Sequence, residues 1–176
     1  MRVSAIFTLL GILSLLACCS PKGTVEQPKP MTYQEREDAL IERNREFLRH
    51  EREQINLYVD SSGVEFTQTG SGLYYTVLER SSETKPIVEG DYVELAYEMK
   101  TIGGSILESS EKNGNKKFAL LRDDEIIGLH EGIALMHLND EFLFIVPAHL
   151  AYGLGNQTSA PLNATLLYKV KIVSVN

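Results

Sequence analysis

The apolar and polar positions of this chain change rhythm three times. Behind Arg2, residues Ala5 to Ala17 are almost wholly apolar. From Thr32 to about Val59 there is no Pro or Gly, and Glu, Arg and Gln dominate. All three are good helix formers. Apolar residues recur there at Leu40/Ile41, Phe47/Leu48, Ile55 and Tyr58/Val59, a spacing near seven. Thr32 followed three residues later by Glu35 fits a capping box, and Ser61-Ser62-Gly63 supplies the stop. The pattern predicts a long charged helix over about 32–60. Its stripe is narrow and broken by Asn44 and Arg52, so two readings stay open. The helix packs along its own domain, or it pairs with a second copy as a short coiled coil; the breaks tilt towards self-packing.

From Leu73 onward the period becomes two. Val93, Leu95, Tyr97 and Met99 alternate with Glu94, Ala96, Glu98 and Lys100. Leu166, Tyr168, Val170 and Ile172 alternate with Lys169 and Lys171 before Val173 and Val175 break the pattern. Such alternation predicts half-buried antiparallel strands. Ile102-Gly103-Gly104-Ser105 lies between two such runs as a hairpin turn. Phe142 to Val146 is apolar on both faces and reads as a central strand. One short helical pattern, about Glu125 to Leu138, carries Ile126, Leu129, Ile133 and Met136. A single short helix against an antiparallel sheet makes an α+β domain.

Composition adds exclusions. The 176 residues are 43% hydrophobic and 23% charged, ordinary values for a globular chain. A net charge of -7 without any Lys/Arg-rich stretch argues against a nucleic-acid partner, since phosphate binding needs a basic footprint. The apolar run at the N-terminus is shorter than the ~20 residues of a spanning helix and has the flanks of a secretory signal over 1–17. It ends in Leu15-Leu16-Ala17-Cys18, which resembles a bacterial lipobox. Cys18 and Cys19 are the chain's two cysteines, so both sit at this junction. A lipidated Cys18 implies an envelope protein anchored to the inner or outer membrane and facing the periplasm. Residues 18–31, with three prolines, read as a tether.

Several motifs in the second half occur in a recognisable order. Gly90-Asp91, the strand to Tyr97, Gly103-Gly104 and Leu107-Glu108-Ser109-Ser110 come first. Glu125-Ile126-Ile127-Gly128-Leu129, Glu131-Gly132, Met136, Pro147, Ala151-Tyr152-Gly153 and Asn163-Ala164-Thr165-Leu166 follow. Each is weak alone; the ordered set resembles the FKBP-type peptidyl-prolyl cis-trans isomerases over about 72–176. That resemblance implies an antiparallel sheet wrapped around one short helix. It also implies isomerisation of Xaa-Pro bonds in polypeptides without metal or cofactor. Together with the lipobox and the charged helix, Gly70-Ser71-Gly72-Leu73-Tyr74-Tyr75 is similar to the lipoprotein isomerases of Bacteroidetes, some associated with gliding motility.

The resemblance also implies site residues. Tyr97 matches a wall tyrosine, Glu108 a pocket aspartate, and Ile126 the helix-start residue whose backbone N–H takes a substrate carbonyl. Tyr152 matches a tyrosine whose hydroxyl donates to substrate. Leu107, Leu129 and Tyr168 take the places of three aromatics that line or floor the pocket. On pattern alone, Tyr97 and Tyr168 read equally well as core fillers on their strands. Leu107 and Leu129 imply a wider, less stacked pocket, and the extra methylene of Glu108 threatens the aspartate's usual hydrogen bond. The loop from Leu154 to Leu162 offers Ser159-Ala160-Pro161-Leu162 in place of the family's Ile-Pro-Pro. His130 and His137, seven apart, make a poor metal pair and read as solvated.

Overall fold

The computed structural model describes residues 30–153, 155 and 159–176. The expected signal segment, Cys18 and the expected tether up to residue 29 lie outside the described residues, as do positions 154 and 156–158.

Helix α1 runs Tyr33–Ser62. The capping box closes at its start: Glu35 N–H donates to Thr32 Oγ1 at 3.3 Å, and Thr32 N–H to Glu35 Oε2 at 2.7 Å. Gly63 ends it with φ 71°, a left-handed conformation that costs glycine little. Six strands form the path β1 (Thr67–Gln68), β2 (Tyr74–Glu79), β6 (Glu141–Val146), β7 (Leu166–Val175), β3 (Tyr92–Thr101) and β4 (Ile106–Ser109). Strand β5 (Lys116–Ala119) pairs with β3 off this path. All pairings are antiparallel, and the long β3–β7 ladder runs from Val93 opposite Val175 to Thr101 opposite Leu166. The Ile102–Ser105 turn joins β3 to β4, with Thr101 N–H bonded to Ser105 C=O.

The sheet buries both faces unequally. One face carries the main core: Leu95, Tyr97, Met99, Phe144, Tyr168 and Val170 pack under Leu129, Ile133 and Met136. Across the other face lies the C-terminal half of α1, where Ile55 meets Ile145 and Leu167. That explains why Leu166 and Leu167 are both buried at the start of β7, although alternation predicts one of them outward. The helix therefore does pack along its own domain, through its last turns. Its first half leaves Leu40 and Ile41 exposed.

A short α2 (Ser110–Asn113) follows β4. The central helix, α3, spans Ile127–Ile133 rather than the longer 125–138 expected from periodicity. Glu125 and Ile126 are its extended entry, and the chain beyond Ile133 turns instead of continuing. Two glycines set how closely α3 approaches the sheet. A Cβ at Gly132 would lie 2.7 Å from the Phe144 ring, and one at Gly128 2.5 Å from Val146 Cγ1. The residues that continue the apolar stripe, such as Met136, are buried from turns instead.

Candidate active site

Strand alternation turns Tyr97 of β3 and Tyr168 of β7 towards α3. Their rings lie 6.4 Å apart at 27°, an offset stack. Tyr168 is wholly buried, and its hydroxyl lies 3.3 Å from that of Tyr152. Tyr152 follows the 3-10 turn Ala148–Leu150, which lifts it from the end of β6 to the rim of the core. Burial pushes the ionisation of all three phenols upward, with neighbouring Glu108 adding to the effect at Tyr97. All three therefore stay neutral, as hydrogen-bond donors must.

Glu108 lies on β4 opposite Met99, so it shares the inner face of the sheet. Its Oε2 accepts from the Tyr97 hydroxyl at 3.3 Å and its Oε1 from Ser159 Oγ at 2.7 Å. The extra methylene does not cost the carboxylate its partner, contrary to the expectation from its length. The Tyr97 hydroxyl stands close enough for the longer side chain to reach.

Ile126 caps α3 in an extended conformation, φ -61° and ψ 141°. Its N–H points to Glu125, whose Oε1 accepts it at 3.0 Å. The other oxygen of Glu125 stands 2.6 Å from Lys116 Nζ, delivered by β5. That ammonium also lies 5.5 Å from the Tyr97 ring centroid, within cation–π range. Burial would lower the Lys116 pKa, but the hydrogen bond and charge of Glu125 outweigh it and hold the amine cationic. Lys116, Asp124, Glu125, Ile126, Ile127, Ala151 and Tyr152 line a cleft of about 450 Å³. A separate pocket of about 280 Å³ opens beside Ser110, Glu141 and Lys169. Its walls mix Ala96, Tyr97 and Val170 with Glu98, Glu111 and Lys171, and neither Ile126 nor Tyr152 lines it.

The seven pocket residues read from the sequence thus fall into three groups. Ile126 and Tyr152 line the cleft directly. Tyr97, Glu108 and Tyr168 join it through hydrogen bonds and stacking. Leu129 is buried beneath, and the half-buried Leu107 packs against the same core. Sequence reasoning missed Lys116 and the role of Glu125, because nothing local marks two residues nine apart on different elements as a pair. It was also wrong about His130. That ring is buried edge-on against Phe118, Nδ1 accepts from Leu121 N–H at 3.0 Å, and Nε2 lies 3.2 Å from Asp123 C=O. The imidazole is needed there because Leu121, at φ 58°, turns its N–H inward. Among the described residues no three His, Cys, Asp or Glu side chains gather as a metal site requires. No helix among them is long and apolar enough to cross a membrane.

A family model described as FKBP-type peptidyl-prolyl cis-trans isomerase matches residues 83–173. A probable FKBP-type peptidyl-prolyl cis-trans isomerase FkpA of Neisseria meningitidis is 34% identical over 110 residues, covering 61% of this chain and 39% of that protein. The outer membrane protein MIP of Legionella longbeachae is 29% identical over 160 residues, 86% of this chain and 67% of its own length. The chain spans about two fifths of the length of the FkpA relatives from Neisseria and Buchnera. In fold, it superposes on the crystal structure of FkpA from Escherichia coli with a TM-score of 0.64 at 22% identity, covering 83% of this chain and 74% of that one.

Proposed function

The chain belongs to the FKBP-type peptidyl-prolyl cis-trans isomerase family, and on that premise we propose that it isomerises Xaa-Pro bonds in exported polypeptides at the Ile126–Tyr152 cleft. The observation that carries this reading is that Ile126, with its backbone N–H, and the neutral hydroxyl of Tyr152 meet on one cleft, both residues packed against the apolar core. An Xaa-Pro amide turns through a twisted state that has lost resonance, a barrier of ~18–20 kcal/mol. No nucleophile is required. A cleft that strips water from the planar amide and matches the twisted one lowers the barrier. The Ile126 N–H would hold a peptide carbonyl, Tyr152 would donate to the peptide, and Tyr97, Tyr168, Leu107 and Leu129 would form walls and floor. Glu108 would act through Tyr97, fixing its hydroxyl.

In this reading the polypeptide is lipidated at Cys18, held to the inner or outer membrane and turned to the periplasm. Support comes from the Leu15-Leu16-Ala17-Cys18 pattern and from a Legionella relative named as an outer membrane protein. The Bacteroidetes lipoprotein branch is the corresponding placement. The exposed Leu40 and Ile41 on the free half of α1 support pairing of two copies through residues 32–60.

A second reading is a weakly catalytic or non-catalytic chaperone, or an assembly module of an envelope machine such as the gliding apparatus. The Ile126 N–H favours it, because Glu125 already holds that donor. A protease-coupled assay on Xaa-Pro peptides decides between them: turnover above the uncatalysed rate supports the enzyme, and its absence supports the binding module. Metabolic labelling with a fatty acid, lost in Cys18→Ala, tests the anchor. The mass in solution of the chain with and without residues 32–60 tests the dimer.

A further inference from the structure

The backbone donor of Ile126, on the cleft at the start of α3, is occupied by the protein itself. Glu125 bridges two donors with one carboxylate: Oε1 accepts from Ile126 N–H at 3.0 Å, and Oε2 stands 2.6 Å from Lys116 Nζ. The two side chains are 11% and 19% exposed, so this is a largely withdrawn pair and not a solvated one. The carboxylate rests in a cleft that Lys116, Asp124, Ile126, Ile127, Ala151 and Tyr152 also line. Whatever enters must contend with it.

We infer that Glu125 is an internal stand-in for an anionic group and that Lys116 and Glu125 set specificity, so that the cleft favours polypeptides with an Asp or Glu side chain beside the proline. This rests on the isomerase reading of the same cleft. A charged acceptor on an N–H is worth roughly twice a neutral one. A peptide carbonyl that displaces Glu125 therefore trades a stronger bond for a weaker one. It also disturbs a half-buried ammonium, which is costly to leave without a partner. A peptide carboxylate within reach of Lys116 restores that partner and frees Glu125 to turn to water; an apolar side chain offers nothing in exchange. Glu108 and Asp124 put like charge near the same cleft, although Glu108 already accepts from two hydroxyls. The preference is what the Lys116 contact leaves after that repulsion, and an uncharged isostere is the proper reference.

The test measures kcat/KM of the full chain on four peptides that differ only in the residue before proline: Glu, Gln, Leu and Lys. The Glu peptide is expected to exceed the Gln peptide by about fivefold, the order of one partly shielded ion pair. K116M brings that ratio to about one, and E125Q, a weaker internal competitor, raises kcat/KM of the Gln and Leu peptides by about the same factor. Equal rates for Glu and Gln peptides in the unmodified chain overturn the inference, whether or not the variants fold. So does a ratio that survives K116M. If no peptide is turned over, the isomerase reading fails first. The same peptides are then titrated while the Ile126 amide resonance is followed, and equal affinity for the Glu and Gln peptides overturns the inference on its own terms.

Discussion

The hydroxyl oxygens of Tyr152 and Tyr168 stand 3.3 Å apart at the inner end of the cleft, and either can donate to the other. Tyr168 is sealed from solvent while Tyr152 is only partly buried, so only Tyr152 can exchange this bond for one to a peptide. Tyr152→Phe should lower kcat/KM by about tenfold, the loss of one hydrogen bond made in a partly desolvated site. Tyr168→Phe should leave it within about twofold, since the freed Tyr152 hydroxyl keeps its donor. A protease-coupled assay reads both. An unchanged rate in Tyr152→Phe would remove this residue from the site.

Because burial raises the Tyr152 phenol above its ordinary value, its neutral form persists to higher pH than that of a free tyrosine. The rate should therefore be flat from about pH 6 to pH 9, below even the unperturbed phenol near 10. A fall in kcat across that window at constant stability would show that a titrating group takes part.

Glu51 ties α1 to the chain on either side of the site. Its Oε1 accepts from Ala148 N–H and from Thr165 Oγ1, both at 2.7 Å, and the residue is buried. Ala148 opens the turn that leads to Tyr152, and Thr165 precedes β7. Glu51→Ala leaves two buried donors without an acceptor and should cost about 2–4 kcal/mol in a denaturant titration. Glu51→Gln, which keeps one acceptor oxygen, should cost roughly half as much. Amide hydrogen exchange at Ala148 should accelerate in both.

Asp140 adds to the acid sensitivity of the fold. Burial alone would raise its pKa, but N–H groups of Ser81 and His137 and the Arg80 guanidinium together hold it below the ordinary value. A depressed folded pKa means that the unfolded chain binds the proton more readily. The stabilisation is then complete above the unfolded value of about 3.9 and is lost as pH falls through the folded one. Asp140→Asn should destabilise by about 2–4 kcal/mol near pH 7. The gap to the unmodified chain should narrow below about pH 4, in melts recorded across pH. A gap independent of pH would mean that shape, not charge, is what Asp140 supplies.

Gly132 tests how α3 is seated. The Cβ of Gly132→Ala would meet the Phe144 ring at 2.7 Å, so helix or ring must shift. A loss of about 1–3 kcal/mol is expected from overpacking, read as a lower Tm. Because α3 carries Ile126 at its start, KM should rise as well. A melting temperature equal to the starting chain would show that the ring has room to move.

Much of this architecture is legible in the residues themselves. Alternation at Val93–Met99 and Leu166–Ile172 identified the two strands of the longest ladder, because a one-sided sheet must bury every second side chain. Thr32, Glu35 and Gly63 marked the ends of α1, because capping is a local contact. Ordered motifs singled out Tyr97, Ile126 and Tyr152 as candidates, and the fold brings all three near the entry of α3 or the aromatic stack beneath it. What the residues did not reveal depends on partners distant in sequence. Periodicity extended α3 past Ile133, since an apolar stripe does not distinguish a helix from buried turns. Leu167 broke the alternation because α1 covers the second face, a fact that belongs to packing. The buried imidazole of His130 answers to Leu121 N–H, and Glu108 keeps its hydrogen bond because Tyr97 stands within reach. Lys116 and Glu125 meet only when β5 and the entry to α3 are folded side by side. The Tyr152 hydroxyl finds Tyr168 only when a turn after β6 and the strand β7 converge. Local patterns determined the elements and singled out most of the candidate residues. Tertiary packing alone decided which charges and hydroxyls occupy it, because a desolvated polar group must find whichever partner the fold brings near.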